Sequence, residues 1–371
     1  MTISRRTLLA RLGAGAAIAV TAPRLGAGSA RHGGTIRLNR NENAYGPSPQ
    51  VIATMQEAAS SAVSRYPGGE ADALRRRIAR FHGVAAEQVV LGCGSGEIVR
   101  MAIDAFVGPR RKIVAPAPTF EALGPYALHA GAEVVAVPLR RNFSHDLPAM
   151  TARIDAATGL VYICNPNNPT GTLTRRQDLA AFLDRLPSHV VVMIDEAYHD
   201  YVEASSDYAS FIDRPVDGRV IVTRSFSKIH GLAGMRVGYA VAPVHVARAL
   251  ESQQLFDGVN VVAARAAAAA LDDREYVLTS ATLNTNDRQE FLNHANARML
   301  RSIDSAANFV LLNTGRPAAA VVEHFRTHGI LVSGPVPRFD MYIRVSLGTP
   351  AEMREFWRAW DLMPGGHHMS M

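Results

Sequence analysis

Four short segments of this chain gather the residue types that catalysis uses. The richest reads Ser225-Phe226-Ser227-Lys228-Ile229-His230-Gly231-Leu232-Ala233-Gly234-Met235-Arg236. Here two hydroxyls, a lysine and an arginine converge around glycines. Hydroxyls and the planar guanidinium fork suit a phosphate. A lysine in such a place can have a lowered pKa and act as nucleophile or base. The plainer alternative is a surface loop with a solvated lysine.

The second segment is Asp195-Glu196-Ala197-Tyr198, which follows the apolar run 190–194. An acid that ends an apolar strand must be paired or functional, because burying a bare carboxylate is costly. A pyridinium N–H would be such a partner, and Tyr198 could reach the same ligand. The third segment, Cys164-Asn165-Pro166-Asn167-Asn168-Pro169-Thr170-Gly171, predicts a rigid loop, since proline restricts φ and asparagine favours turns. Such a loop is either purely structural or a means of pointing an amide inward. The fourth is Gly92-Cys93-Gly94-Ser95-Gly96-Glu97, opening a helical pattern. Glycines let backbone amides approach an anion, and the helix N-terminus adds positive potential. The rival reading, a dinucleotide fingerprint, wants another glycine and an acid ~20 residues later. Asp104 comes too early for that role and Glu121 follows a different strand.

These segments need elements to hold them. Runs at 88–91, 112–115, 133–138, 160–164, 190–194, 219–223 and 237–242 are nearly continuous in Val, Ile and Ala. Strands buried on both faces read that way, so a largely parallel sheet covered by helices is expected. The fold class is therefore α/β. All four chemical segments then sit at the C-terminal ends of strands, where open α/β sheets bind ligands. Before the sheet, residues 31–50 predict an extended arm, followed by a helix to about 64, a Tyr66-Pro67-Gly68-Gly69 loop and a basic helix over 71–81. After Pro243 the pattern becomes helical through 263–271 and 274–300. A short α+β region follows: strand 307–312, helix 318–328 and strand 341–345.

The chain has 371 residues and a formal net charge of +6. Residues 1–30 contain Arg5, Arg6, Arg11 and Arg24 and no acid, so the remainder is near balance. That argues against a nucleic-acid partner. Cys93 and Cys164 end predicted strands and read as free core thiols. No Cys/His cluster has metal-ligand spacing, and His367 and His368 lie in a Gly-rich tail. The start, Ser4-Arg5-Arg6-Thr7-Leu8-Leu9, then a modest apolar stretch and Gly28-Ser29-Ala30, matches a twin-arginine export signal. Its apolar run is shorter than the ~20 residues a membrane span needs.

Taken together, NPNNPTG, DEAY and SFSK-x-x-GLAG-x-R resemble the fold-type I, class I/II aminotransferases. LNRNENAYGPSP and RYPGG resemble more narrowly the histidinol-phosphate aminotransferase branch. The resemblance runs from about Leu38 to Thr349. It implies an aspartate-aminotransferase-like large domain with a mainly parallel seven-stranded sheet, plus a smaller α+β domain. The expected division is signal 1–30, arm and helix 31–64, large domain 65–262, small domain 263–364 and tail 365–371. The resemblance also implies pyridoxal 5′-phosphate, transamination by a ping-pong mechanism, and a homodimer with shared active sites.

By motif, the resemblance assigns roles to individual residues. Lys228 would carry the cofactor as a Schiff base, and Asp195 would keep its pyridine nitrogen protonated, making the ring an electron sink. Tyr198 and Asn168 would hydrogen-bond the ring hydroxyl, and Phe120 would stack on the ring. Ser225, Ser227, Arg236 and the amides of Gly96 and Glu97 would grip the phosphate. Tyr66 would reach the phosphate of the neighbouring subunit. Arg344 would bind the substrate carboxylate, and Tyr45 would line the pocket. The sequence departs from the branch at Ser333, where an arginine normally helps hold the substrate's anionic end, and at Gly96, where aspartate is usual. Without that cation the resemblance leaves open whether histidinol phosphate is a substrate. The same fold hosts decarboxylases, lyases and cyclases, and the motifs alone do not separate these from transaminases. A non-catalytic ligand sensor would carry an upstream DNA-binding domain, for which 1–50 offers no pattern.

Overall fold

The computed structural model describes residues 34–202, 205, 207–212 and 218–364. The export signal expected over 1–30 and the tail over 365–371 lie outside these residues. No helix among those described is long and apolar enough to cross a membrane.

The arm contributes β1 (Ile36–Leu38). Seven strands then build the main sheet: β2 (Val89–Gly92), β3 (Lys112–Ala117), β4 (Val134–Pro138), β5 (Thr158–Cys164), β6 (Val191–Asp195), β7 (Val220–Ser225) and β8 (Gly238–Val241). Their order is β2-β8-β7-β6-β5-β3-β4. Only β8 runs antiparallel to its neighbours. All seven runs expected from the sequence thus join one sheet, within a residue or two at their ends.

Alternation sorts the strand residues onto two faces. Val192, Ile194, Val220 and Val222 pack on one side with Leu74, Ile78, Leu179 and Phe182. Tyr162, Met193 and Ile221 pack on the other, with Ile98, Met101 and Leu250. Helices cover both faces of the central strands, which explains their lack of polar alternation, whereas the edge strand β4 buries only Val137. The alanine-rich helix Val261–Asp272 buries Ala263, Ala264, Ala266 and Ala267. Small side chains there let it lie against the helices Pro49–Ser61 and Glu70–His82.

The C-terminal part forms a second layer. The strands are β9 (Arg301–Ser302), β10 (Phe309–Asn313), β11 (Ile330–Val332) and β12 (Tyr342–Ser346). β10 lies antiparallel between β9 and β12. The core here is aromatic, with Phe291, Phe325, Phe356 and Trp357 buried together. β1 pairs in parallel with β11, Ile36 opposite Ile330. The arm is therefore stitched to the C-terminal part, a partnership that local pattern did not reveal. The helix Pro350–Asp361, capped reciprocally by Thr349 and Glu352, was likewise not anticipated.

Candidate active site

The register of the sheet brings the chemical segments side by side. Cys164 stands opposite Asp195, and Asp195 opposite Thr223. Asp195 ends β6 and is only 4% exposed. Its Oδ2 accepts a hydrogen bond from Tyr162 Oη at 2.8 Å, and its Oδ1 accepts one from the Ala197 amide at 3.1 Å. Burial raises its pKa, opposed by these hydrogen bonds and by the charge of Lys228. Such a carboxylate has hydrogen bonds but, among the described residues, no ion pair, and a cationic partner would stabilise its charge.

Lys228 follows β7. Its Nζ donates to the carbonyls of Arg40 (3.2 Å) and Asn41 (3.1 Å) and sits 5.5 Å from the centre of the Tyr198 ring. Burial lowers its pKa to about 8, aided by the charges of Arg344 and Arg236 and opposed by Glu42 and Asp195. The turn after it is fixed by Gly231, at φ 69°, where a Cβ would collide with the backbone of Gly46 in the arm. Loop and arm therefore touch backbone to backbone, which only glycine permits.

Beside the amine lies an anion cradle. The helix Ser95–Phe106 starts after Gly94, at φ 81°. Its first amides lack intrahelical acceptors, so Ser95 and Gly96 face a ligand or water. Of the two amides expected to grip a phosphate, that of Glu97 donates to Gly94 O at 3.2 Å. The Glu97 carboxylate turns back onto the amides of Cys93 (2.5 Å) and Leu255 (3.1 Å). Arg236 Nη1 donates to Ser227 Oγ at 3.3 Å, and Nη2 donates to Cys93 O at 3.4 Å. Ser225 Oγ accepts the Ser227 amide at 3.1 Å. A Cβ on Gly94 would strike the Arg236 guanidinium. Serines, guanidinium and helix start thus lie side by side.

The opposite wall comes from the arm and the C-terminal layer. Arg344 of β12 donates through Nη1 to Asn168 Oδ1 and through Nη2 to Asn39 O at 3.0 Å. Its Nε has no partner although the residue is only 7% exposed. Tyr198 Oη accepts from Asn41 Nδ2 at 2.9 Å, and the Asn41 amide donates to Ser346 Oγ at 2.8 Å. Asn308 Nδ2 holds the carbonyls of Asn41 and Glu42 at 3.0 and 3.1 Å. Phe120, three residues beyond β3, packs partly buried against the sheet's core. Tyr45 points its phenol at Asp287 Oδ2, 2.8 Å away on the helix Arg274–Ala297. Tyr66 is 87% exposed and touches none of these groups within its own chain. Both cysteines are free thiols.

A family model for class I and II aminotransferases matches residues 34–359. The chain belongs to that family. Histidinol-phosphate aminotransferase 2 of Carboxydothermus hydrogenoformans is 39% identical over 326 residues, covering 86% of this chain and 88% of that protein. The Bacillus subtilis histidinol-phosphate aminotransferase is 36% identical over 324 residues, covering 86% and 89%. Among solved structures, that of Sinorhizobium meliloti histidinol-phosphate aminotransferase in complex with pyridoxal 5′-phosphate superposes with a TM-score of 0.82 at 27% identity, covering 87% of this chain and 89% of that one. This aminotransferase also has site residues that its sequence did not single out. Tyr162, Asn41 and Asn308 all hold a group discussed above. A lone tyrosine in an otherwise apolar strand run was the available signal for Tyr162. For the two asparagines the contacts are long-range and leave no local trace.

Proposed function

We propose that this aminotransferase holds pyridoxal 5′-phosphate on Lys228 and moves an amino group between an amino acid and a 2-oxo acid. The observation that carries the reading is the meeting of a buried carboxylate, an amine of lowered pKa and a cradle for an anion around one space. The residues fit the cofactor. Asp195 lacks a cationic partner, which a protonated ring nitrogen provides. The Gly94 cradle is open only because no Cβ fills it. When bound, the cofactor supplies an electrophilic carbon and an electron-withdrawing ring.

The chain's own groups do the rest. Asp195 holds the proton on the ring nitrogen. Asn168 and Tyr198 orient the ring hydroxyl, and Phe120 covers a ring face. Ser225, Ser227, Arg236 and the Ser95 and Gly96 amides hold the phosphate. Lys228, with its pKa near 8, offers a neutral amine as nucleophile. Once released, the same Nζ takes the proton from the substrate's Cα as general base. Arg344, with Nε free, receives the substrate carboxylate.

Two features bear on the substrate and the assembly. Ser333 exchanges both backbone hydrogen bonds with Arg344, at 3.0 and 2.7 Å. It therefore presents a small neutral side chain beside that guanidinium, where the histidinol-phosphate branch carries an arginine. This favours an amino acid over histidinol phosphate. Exposed Tyr66, Leu255 and Phe256 favour a homodimer in which Tyr66 completes the partner's cradle. The Arg5-Arg6 segment favours twin-arginine export, testable by fusing residues 1–33 to a reporter that reaches the periplasm only by that route.

The test of the reaction is a half-reaction screen. Amino acids added to the loaded protein should convert its cofactor absorbance to the amine form with release of a 2-oxo acid. Release of CO₂ or ammonia without that conversion would replace transamination by another reaction.

A further inference from the structure

On the face of the sheet opposite Asp195 lies a buried ion pair that the proposed chemistry does not use. Alternation along β6 and β7 turns Asp195 and Ser225 to one face and Glu196 and Arg224 to the other. Arg224 Nε donates to Glu196 Oε2 at 2.9 Å, with side chains 7% and 1% exposed. Two further donors reach the same carboxylate. The Phe211 amide donates to Oε1 at 2.8 Å and Ser210 Oγ to Oε2 at 2.8 Å. Arg224 Nη2 donates in turn to Ser210 Oγ at 2.9 Å, and Nη1 stands 3.7 Å from Asp200 Oδ1. The Glu196 amide donates to Thr223 O at 2.9 Å, so main chain and side chain tie the same two strand ends.

Replacing such a pair by neutral groups is often harmless to stability, because desolvation offsets the attraction. A pair placed here has another consequence. Each member is the immediate chain neighbour of a cofactor-facing residue: Glu196 of Asp195, Arg224 of Ser225. The Arg224 guanidinium bridges the two strand ends, with one nitrogen on Glu196 and another on Ser210, and its planar fork fixes that geometry more tightly than a point charge would. We propose that Glu196 and Arg224 are positioning residues that hold the Asp195 carboxylate at a set distance from the Ser225–Lys228 turn. They act through their neighbours and touch neither cofactor nor substrate. The inference rests on the pyridoxal phosphate reading above, since the distance matters only if one ligand spans both groups.

The experiment uses the full chain, stripped and reloaded with pyridoxal 5′-phosphate. The deciding variant is the double change E196Q/R224M. Gln keeps an acceptor for the Phe211 amide and a donor for Ser210, while both charges and the inter-strand fork are gone. The double variant should keep a cooperative melt near that of the wild type. It should bind the cofactor roughly tenfold or more weakly, show altered visible circular dichroism per bound cofactor, and lose kcat more than KM. Native cofactor affinity within about twofold and an unchanged visible dichroism in a folded double variant would overturn the proposal. If the double variant does not fold, Arg224→Lys decides. Its point charge without the fork should still alter the dichroism, and an unchanged spectrum and affinity would overturn the idea. Borohydride trapping of the cofactor on wild-type Lys228 is the control. Its failure would remove the cofactor reading itself, whereas a trapped wild type with indifferent variants removes only the positioning role.

Discussion

The phenol of Tyr162 on β5 donates a 2.8 Å hydrogen bond to the carboxylate of Asp195 on β6, both fully inside the sheet's C-terminal edge. The bond aims the acid and partly offsets the cost of its burial. Tyr162→Phe should therefore cost roughly 1.5–3 kcal/mol of stability, the usual worth of a hydrogen bond to a charged group. A denaturant midpoint reads this directly. Asp195→Ala should fold, yet lower kcat by roughly a hundredfold or more, because a preorganised charge at the ring nitrogen is lost. Wild-type turnover in Asp195→Ala would contradict its placement.

The pH dependence of cofactor capture follows from Lys228. An ordinary lysine stays protonated until pH ~10.4. Here burial brings the pKa to about 8, so the reactive neutral amine appears as pH rises through that value. The stripped protein should capture pyridoxal 5′-phosphate faster with rising pH, with a midpoint near 8 and a plateau above it. Stopped-flow absorbance measures the rate. Lys228→Ala should show no capture at any pH and should lose roughly a thousandfold or more in turnover.

Gly94→Ala tests the cradle. The residue has φ 81° and ψ 162°, a region essentially reserved for glycine, and a Cβ would meet Arg236. The backbone strain should cost roughly 1–3 kcal/mol. Affinity for pyridoxal 5′-phosphate should drop while that for pyridoxal, which lacks the phosphate, changes little. Equal losses for both ligands would place the phosphate elsewhere.

Ser333→Arg tests substrate choice. A guanidinium beside Arg344 should raise kcat/KM for histidinol phosphate roughly tenfold, the worth of one charge-assisted hydrogen bond. If the unmodified chain already turns over histidinol phosphate as well as any amino acid, Ser333 does not set specificity.

The shared-site proposal is tested through Tyr66, whose phenol is exposed in the single chain. Light scattering should report a dimer. Tyr66→Phe should remain dimeric and weaken the phosphate-bearing cofactor by roughly tenfold, again one hydrogen bond to a charged group. A monomeric wild type with full cofactor affinity would rule the arrangement out.

The local chemistry was readable in advance because it depends on short spacings. Ser225, Ser227, Lys228 and Arg236 lie on the single segment from the end of β7 to the start of β8, and Gly94 to Glu97 on one helix start, so motif and neighbourhood coincide. The strand runs were readable for a related reason, since burial on both faces leaves a continuous apolar signature. Even there, the Glu97 amide turned out to serve its own turn through Gly94 O. That competition inside the first helical turn is set by backbone geometry, not by residue type.

Residue identity alone determined that the chain is α/β, that its strand ends carry an amine, an acid and a phosphate-like cradle, and which family those motifs resemble. Tertiary structure decided which of them meet across long separations: Tyr162 with Asp195, Arg344 with Asn168, Asn41 with Tyr198, and Tyr45 with Asp287. It also paired β1 with β11, joining the arm to the C-terminal layer. The reason is physical. A motif records what neighbouring residues do together, whereas strand register and helix packing set contacts between residues far apart in the chain, and those depend on how the whole core closes.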